Sequence, residues 1–295
     1  MKRFCILLTT IILLLAGCGT TGSFVSRVLP GNDWPKKRVM IMPAADLTEI
    51  SLNELTDGVS EELSENLRKT GFFNVYHHNN TKKFPFFKPG DPVDPVLMRE
   101  AKEIGMNAII FETVNPIETN PVKSGIWPFR KEAWRFTVSI NIDIVDVTWG
   151  IMLLSKEVAS NITLLDEEAK EETEKAANID LKKRALKKCL PDMLKKAAKA
   201  SIISLKQKAW TGTILSVDNK RIIINAGRDV GLRPGIVFEV FGEGESITSF
   251  KGQTYQLPGP KVGEIIIVDT EPRHSSAEPI KEGDFKSGQI IRVKD

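Results

Sequence analysis

Residues Trp134 to Ile144 alternate apolar and polar side chains without a miss. Trp134, Phe136, Val138, Ile140, Ile142 and Ile144 point to one side of an extended chain; Arg135, Thr137, Ser139, Asn141 and Asp143 point to the other. A period of two sustained this long is incompatible with a helix and specifies a strand with one apolar face. After Asp-Val-Thr-Trp-Gly the chain returns as IMLLSKEVASNIT, which makes a long antiparallel hairpin. Something must cover the apolar face: lipid, because about ten alternating residues suit a membrane barrel stave, or helices of the same chain. Lys156 falls in the return row Met152, Leu154, Val158, Ile162. At mid-bilayer a lysine costs roughly 2–4 kcal/mol, whereas at the margin of a soluble sheet its amine reaches water. A soluble sheet beneath amphipathic helices is expected.

The segment before the hairpin supplies such helices. KKRVMIMP reads as a short strand. Ser51 with Glu54 forms a capping box, and Leu52, Leu55, Val59, Leu63 and Leu67 follow at helical spacing until Thr70-Gly71. FFNVYH is a second strand. Asp94 and Pro95 suit the N-cap and first turn of a helix over VLMREAKEIG, and NAIIFETV is a third strand. Right-handed crossovers would make these three strands parallel. Beyond the hairpin, a wet acidic run (Glu167, Glu168, Glu171, Glu172, Glu174) precedes a basic helix. Leu186, Leu190, Met193, Leu194, Ala197, Ile202 and Leu205 form its apolar face, and Pro191 is expected to kink or restart it.

From about Trp210 the texture changes to short β runs (GTILSV, KRIIINAG, GIVFEVFG, VGEIIIVDT, QIIRVKD) separated by Asp-Asn, Gly and Pro turns. These predict a small all-β barrel of five or six strands. Gly227, Gly231 and Gly235 are expected at positive φ in tight turns, and residues 243–260 read as a mobile loop.

The amino terminus has a different character. Lys2 and Arg3 precede an apolar run from Ile6 to Leu15, then Ala16, Gly17 and Cys18, the layout of a secretory signal over residues 1–17. The run is about half of the ~20 residues a spanning helix needs, so a permanent span is not expected. Leu15-Ala16-Gly17-Cys18 resembles the bacterial lipobox. That resemblance implies cleavage before Cys18, with acyl chains on its sulfur and its new amine; Gly19 in place of aspartate implies the outer membrane. Two or more acyl chains anchor stably where one does not. Residues 18–35, rich in Gly, Ser, Thr and Pro, then form a tether. Cys5 leaves with the signal, so Cys189 has no partner for an internal disulfide and is expected to be a small buried hydrophobe. The formal charge of +3 falls to +1 without Lys2 and Arg3, which gives no basic excess to call for nucleic acid.

Catalytic signatures are missing from the sequence: it holds no H-E-x-x-H, P-loop, G-x-S-x-G or Cys-x-x-Cys. His77 and His78 are neighbours on a strand and point to opposite faces, a poor chelating pair. No catalytic residue, cofactor or metal is expected. Two loops are more informative. TKKFPFFKPG (81–90) follows the second strand and KSGIWPFRK (123–131) the third, so both are expected at the carboxyl-end edge of the sheet. They mix Phe84, Phe86, Phe87, Trp127 and Phe129 with cations such as Arg130. That mixture suits contact with a protein partner or with lipid headgroups; the alternative is that the aromatics fold back over the core's edge.

RVMIMPAADL, ELTDGVSEELSENLRKTGFFNVYHH, LMREAKEIGMNAIIFETV and INIDIVDVTWGIMLLSKEV together resemble the TolB amino-terminal-like domain. That domain is shared by flagellar assembly protein T, curli secretion lipoproteins and lipoprotein activators of penicillin-binding proteins. GTILSVDNKRIIINAGRDVGLRPGIVFEV, with VGEIIIVD and GDFKSGQIIRV, resembles the carboxy-terminal domain of flagellar assembly protein T. The resemblance implies an α+β class: a TolB-N-like mixed sheet with helices over 36–208, then a small SH3-like barrel over 209–295. It also implies a non-enzymatic, lipid-anchored protein on the periplasmic face of the outer membrane. Such a protein would meet the membrane through acylated Cys18 and would dock envelope proteins in a flagellar or secretion-type assembly. Activation of a peptidoglycan synthase and a subunit role in an oligomeric curli-type pore remain alternatives, and a homo-oligomer stays open.

Overall fold

The computed structural model describes residues 35–48, 50, 53–78, 87, 91–165, 174–219 and 221–294. The signal, Cys18, nearly all of the tether, Phe84, Phe86, the capping Ser51 and Glu167, Glu168, Glu171 and Glu172 of the acidic run lie outside them. Pro35–Asp295 forms one compact unit of mixed α+β architecture, in which, among the described residues, a mixed sheet with three α-helices joins a six-stranded barrel.

In the sheet, β1 (Lys37–Ile41) pairs in parallel with β3 (Phe73–His77) on one side and β4 (Ala108–Val114) on the other. A two-residue β2 (Ala45–Asp46) adds parallel pairing to the end of β4. β6 (Lys131–Asp146) is antiparallel to β4, and β7 (Met152–Leu165) is antiparallel to β6, as the alternating hairpin requires.

Helices cover both faces. The row Phe136, Val138, Ile140, Ile142 and Ile144 joins Val39, Ile41 and Ile110 beneath Val59, Leu63 and Leu67 of α1 (Asn53–Arg68). Leu186, Met193 and Leu194 of α3 (Glu174–Lys206) close the same core. Met40, Ile109, Phe111 and Val145 point the other way, under Leu97 and Ala101 of α2 (Pro95–Glu103). Lys156 sits opposite Ile142 and is exposed, with helices rather than lipid over the apolar row. Asp94 caps α2 by accepting from the Val96 and Leu97 amides at 2.7 and 3.4 Å, and Pro95 occupies the first turn. Cys189 is buried in the α3 core. α3 runs unbroken through Pro191, contrary to the restart the sequence suggested: residue 187, which loses its intrahelical partner, faces solvent.

The barrel is built from β8 (Thr211–Asp218), β9 (Arg221–Ile224), β10 (Val237–Phe241), β13 (Lys261–Thr270), β14 (Ser275–Pro279) and β15 (Ile290–Val293). It closes in the order β10-β13-β14-β9-β8-β15. Ile214, Ile222, Ile224, Phe238, Ile265, Ile267 and Ile291 fill it. Residues 243–260, expected as a mobile loop, instead contain the hairpin β11 (Ser246–Thr248) and β12 (Thr254–Gln256). It is pinned to the sheet side by Gln256 N–H to Trp149 O at 3.0 Å and by the Val93 amide to Gln253 Oε1 at 2.8 Å. Gly231 and Gly235 have the expected positive φ, but Gly227 does not. A β-carbon at Gly227 would lie 2.2 Å from the Glu271 carbonyl oxygen, so close backbone approach selects glycine there.

Candidate functional site

Two features stand out: an arm that projects from the sheet, and the junction between sheet and barrel. The arm begins with a strand the sequence pattern did not predict. β5 (Glu118–Ser124) continues in line from β4 along the same edge of β6, pairing Glu118 with Thr137 through to Ser124 with Lys131. The loop 123–131 therefore does not leave the third strand directly; it is the turn of a second hairpin, further out. β7 flanks the other side of β6, with Ala133 opposite Leu165. As an unbroken strand of 16 residues, β6 spans roughly 50 Å. Its Asp146 end lies by β1 and the barrel, and its Lys131 end carries the turn.

At that turn Ile126, Trp127 and Phe129 are 85%, 77% and 83% exposed, with a cis Trp127-Pro128 bond between them, and Arg130 is exposed beside them. An open groove of about 390 Å³ runs down the stem, lined by Pro121, Val122, Lys123, Glu132, Ala133 and Trp134. The structure thus separates the aromatics that the sequence had grouped. Phe87 is buried and stacks on Phe111, with ring centroids 4.2 Å apart, so this ring closes the core under α2. Trp127 and Phe129 stand in water.

The junction was missed from sequence. Arg38, the third residue of a segment read only as an apolar strand, crosses into the barrel. Its Nε and Nη2 donate to Asp229 Oδ2 and Oδ1, each at 2.8 Å, while Nη1 donates to Asn225 O at 2.7 Å and Ile104 O at 3.3 Å. The Arg38 side chain is 4% exposed and that of Asp229 21%. Asn107 accepts from the Arg38 amide at 2.9 Å and donates to Thr211 O at 2.7 Å, and Asn74 donates to Asp229 O at 2.7 Å. A β-carbon on Gly105, whose φ is +74°, would fall 2.6 Å from Arg38 Nη1. Beside Arg38, the Lys37 amine donates to the Leu205 and Lys208 carbonyls at and just beyond the α3 carboxyl end, where the helix dipole favours a cation. Burial lowers the Lys37 pKa to about 8, with nearby Asp146 opposing.

Three buried carboxyls are displaced upward by desolvation. Glu112 is pushed to about 7 by burial, partly offset by the Ser60 hydroxyl, which donates to Oε2 at 2.6 Å. Asp143 is raised by burial against the Ser155 hydroxyl, and Asp146 by burial against the Trp149 and Thr148 amides that bind its turn. Glu112 is 1% exposed beneath α1, whose Ser60 supplies its hydrogen bond. His77 Nε2 lies 3.1 Å from Ser64 Oγ and 3.4 Å from Glu61 Oε2. Among the described residues no three His, Cys, Asp or Glu side chains are placed to hold a metal ion, and no helix is long and apolar enough to cross a membrane.

No protein-family model matches the chain, and no characterised protein matches it by sequence. Solved structures are similar at a distance. A hypothetical protein from Chlamydia trachomatis shares 13% identity over 55% of this chain and 96% of its own, with a TM-score of 0.36. A homolog of neuraminyllactose-binding hemagglutinin from Helicobacter pylori shares 14% over 61% and 91%, also at 0.36. The lipoprotein GNA1162 from Neisseria meningitidis shares 14% over 58% and 99%, at 0.30. At such scores the likeness assigns neither fold nor function to this chain; its own residues must do so.

Proposed function

We propose that the chain is a lipid-anchored, non-enzymatic envelope protein that docks within a periplasmic or outer-membrane assembly of flagellar or secretion type. In this reading Cys18 carries the acyl chains, residues 36–208 act as a TolB-amino-terminal-like domain and residues 209–295 as an SH3-like barrel. The apex of the arm is the contact element. The lipobox-like Leu15-Ala16-Gly17-Cys18 supports the anchor. The junction centred on Arg38 and Asp229 supports a barrel held at a fixed angle to the sheet.

One observation carries the reading: Ile126, Trp127 and Phe129 stand in water at the end of a projecting hairpin. Contiguous apolar side chains held clear of a core mark a surface that something else covers. The test combines fractionation with crosslinking in cells. Native protein is expected in the membrane fraction with the mass of acyl groups on its Cys18 peptide, and Cys18→Ser is expected to release it. A photo-crosslinking residue at position 129 is expected to give adducts that position 219, in a barrel turn, does not. Identical fractionation of Cys18→Ser, without lipid mass on the native form, refutes the anchor; no adduct to lipid or protein from position 129 refutes docking through the apex.

A further inference from the structure

We infer that the arm apex is a membrane-interface wedge: Ile126, Trp127 and Phe129 enter an anionic phospholipid surface, and Lys123 and Arg130 bind its phosphates. This rests on the docking reading of the apex and gives that surface its ligand. Three observations select lipid over a protein groove. The first is composition at the turn. Residues 121–135 hold four basic side chains against one acid, and the three exposed apolar groups lie between Lys123 and Arg130. A tryptophan at headgroup depth, apolar neighbours below it and cations at phosphate level are what a bilayer interface accepts without any complementary shape.

The second is the stem. β5 pairs only with β6 among the described strands; it contains Pro121, and none of its side chains is fully buried. Ala133 and Phe136 bury one face of the stem, while Ile126, Trp127, Phe129 and Arg130 at its turn are exposed, so the turn offers its apolar side chains to a surface. Pro121 and Lys123 also blunt the edge against strand addition by another chain.

The third is reach. The Asp146 end of β6 lies by β1, where the chain enters the fold, roughly 50 Å from the apex by the length of β6. The 17 residues from Cys18 to Trp34 extend to at most about 60 Å. A molecule with its apex on a bilayer therefore holds its chain entry within reach of acyl chains in that same bilayer. Anchoring raises the local concentration of the apex at the surface, so a weak intrinsic contact suffices.

The test uses the mature chain with Cys18→Ser, which removes any acyl contribution, in flotation with vesicles of phosphatidylcholine alone or with 30% phosphatidylglycerol added (~0.3 mole fraction, enough for anionic attraction). The protein is expected to float with the anionic vesicles and to be released by salt. Ile126→Ser/Trp127→Ser/Phe129→Ser should lower the partition at least ~10-fold, and Lys123→Glu/Arg130→Glu should abolish the preference for anionic lipid. Both variants should keep the circular dichroism and melting temperature of the parent, because every altered side chain is exposed. A parent that does not float, or an apolar triple variant that floats equally well, overturns the inference. If vesicle binding fails while position 129 still crosslinks to an envelope protein, the apex docks protein and only the lipid assignment falls. If the triple variant instead changes the oligomeric state, a second copy is its cover and the assignment is equally overturned.

Discussion

Replacing Arg38 by methionine keeps an unbranched side chain of similar reach and deletes the guanidinium. The structure gives the consequence in parts. Asp229 loses a two-point partner, with both contacts at 2.8 Å, and the Asn225 and Ile104 carbonyls lose their shared donor. Removing one member of a buried pair costs about 3–5 kcal/mol because the other charge is left uncompensated. Asp229 is 21% exposed and recovers part of its hydration, which places the expected loss near the low end, about 3 kcal/mol. For a unit of about 260 residues, an unfolding entropy near 2.1 cal/mol/K per residue converts this to a fall in Tm of roughly 5–6 °C. Urea denaturation and calorimetry of Arg38→Met, Asp229→Asn and the double variant measure it. The double variant should be destabilised by about 2 kcal/mol less than the sum of the single losses, because the second change removes the charge that the first one strands. A loss below about 1 kcal/mol for Arg38→Met, or simple additivity, would show that the junction is held by something other than this pair.

Glu112→Gln should leave stability at pH 4 nearly unchanged and raise it above that of the parent at pH 8. The carboxyl is held at about 7 in the fold against an ordinary value of 4.5. The folded state therefore keeps a proton that the unfolded state releases, and stability falls as pH rises from about 4.5 to 7, by about 3 kcal/mol in all. Equal pH dependence in the parent and the variant would refute it. Phe87→Ala should cost about 3–5 kcal/mol, as for a buried ring that stacks on Phe111. A loss within 0.5 kcal/mol (about the range for surface positions) would return Phe87 to the exposed class.

Legibility in the sequence followed how completely each segment is covered. The β6–β7 hairpin, α2 with its Asp94 cap and the α3 face could be read because one side of each is buried and periodicity records burial. β5 and β14 could not. Glu-Thr-Asn-Pro-Val-Lys-Ser has no covered face to impose alternation, and Ser-Ser-Ala-Glu-Pro places only small groups inside the barrel. β14 is a strand because its neighbours close a ring, a long-range cause that leaves no local pattern. Arg38 was invisible for the opposite reason. Its neighbours Val39, Met40 and Ile41 are all buried, so the segment reads as a continuous apolar strand, and the partner Asp229 is 191 residues away. A basic residue inside a strand buried on both faces was the available signal, since such a charge needs a partner. The aromatics of 81–90 and 123–131 carried the same local signature, and only tertiary position distinguished a ring in the core from a ring in water.

The junction and the apex sit at opposite ends of one strand, and that has a mechanical consequence. β6 is braced by β4, β5 and β7 along its length, and its Asp146 end is tied through Lys37 and Arg38 to α3 and the barrel. A bilayer contact at the apex needs no set angle, because a fluid surface accepts any approach. The polar junction does set one: bidentate Arg–carboxylate geometry and the Asn107 and Asn74 amides fix direction as well as proximity. A sheet gripping the barrel in one orientation, with β6 running roughly 50 Å from that junction to the apex, would fix how far the barrel stands from whatever the apex meets. With the apex seated as proposed, standoff would be a property of the fold, and the barrel surface would be what the molecule presents at that height.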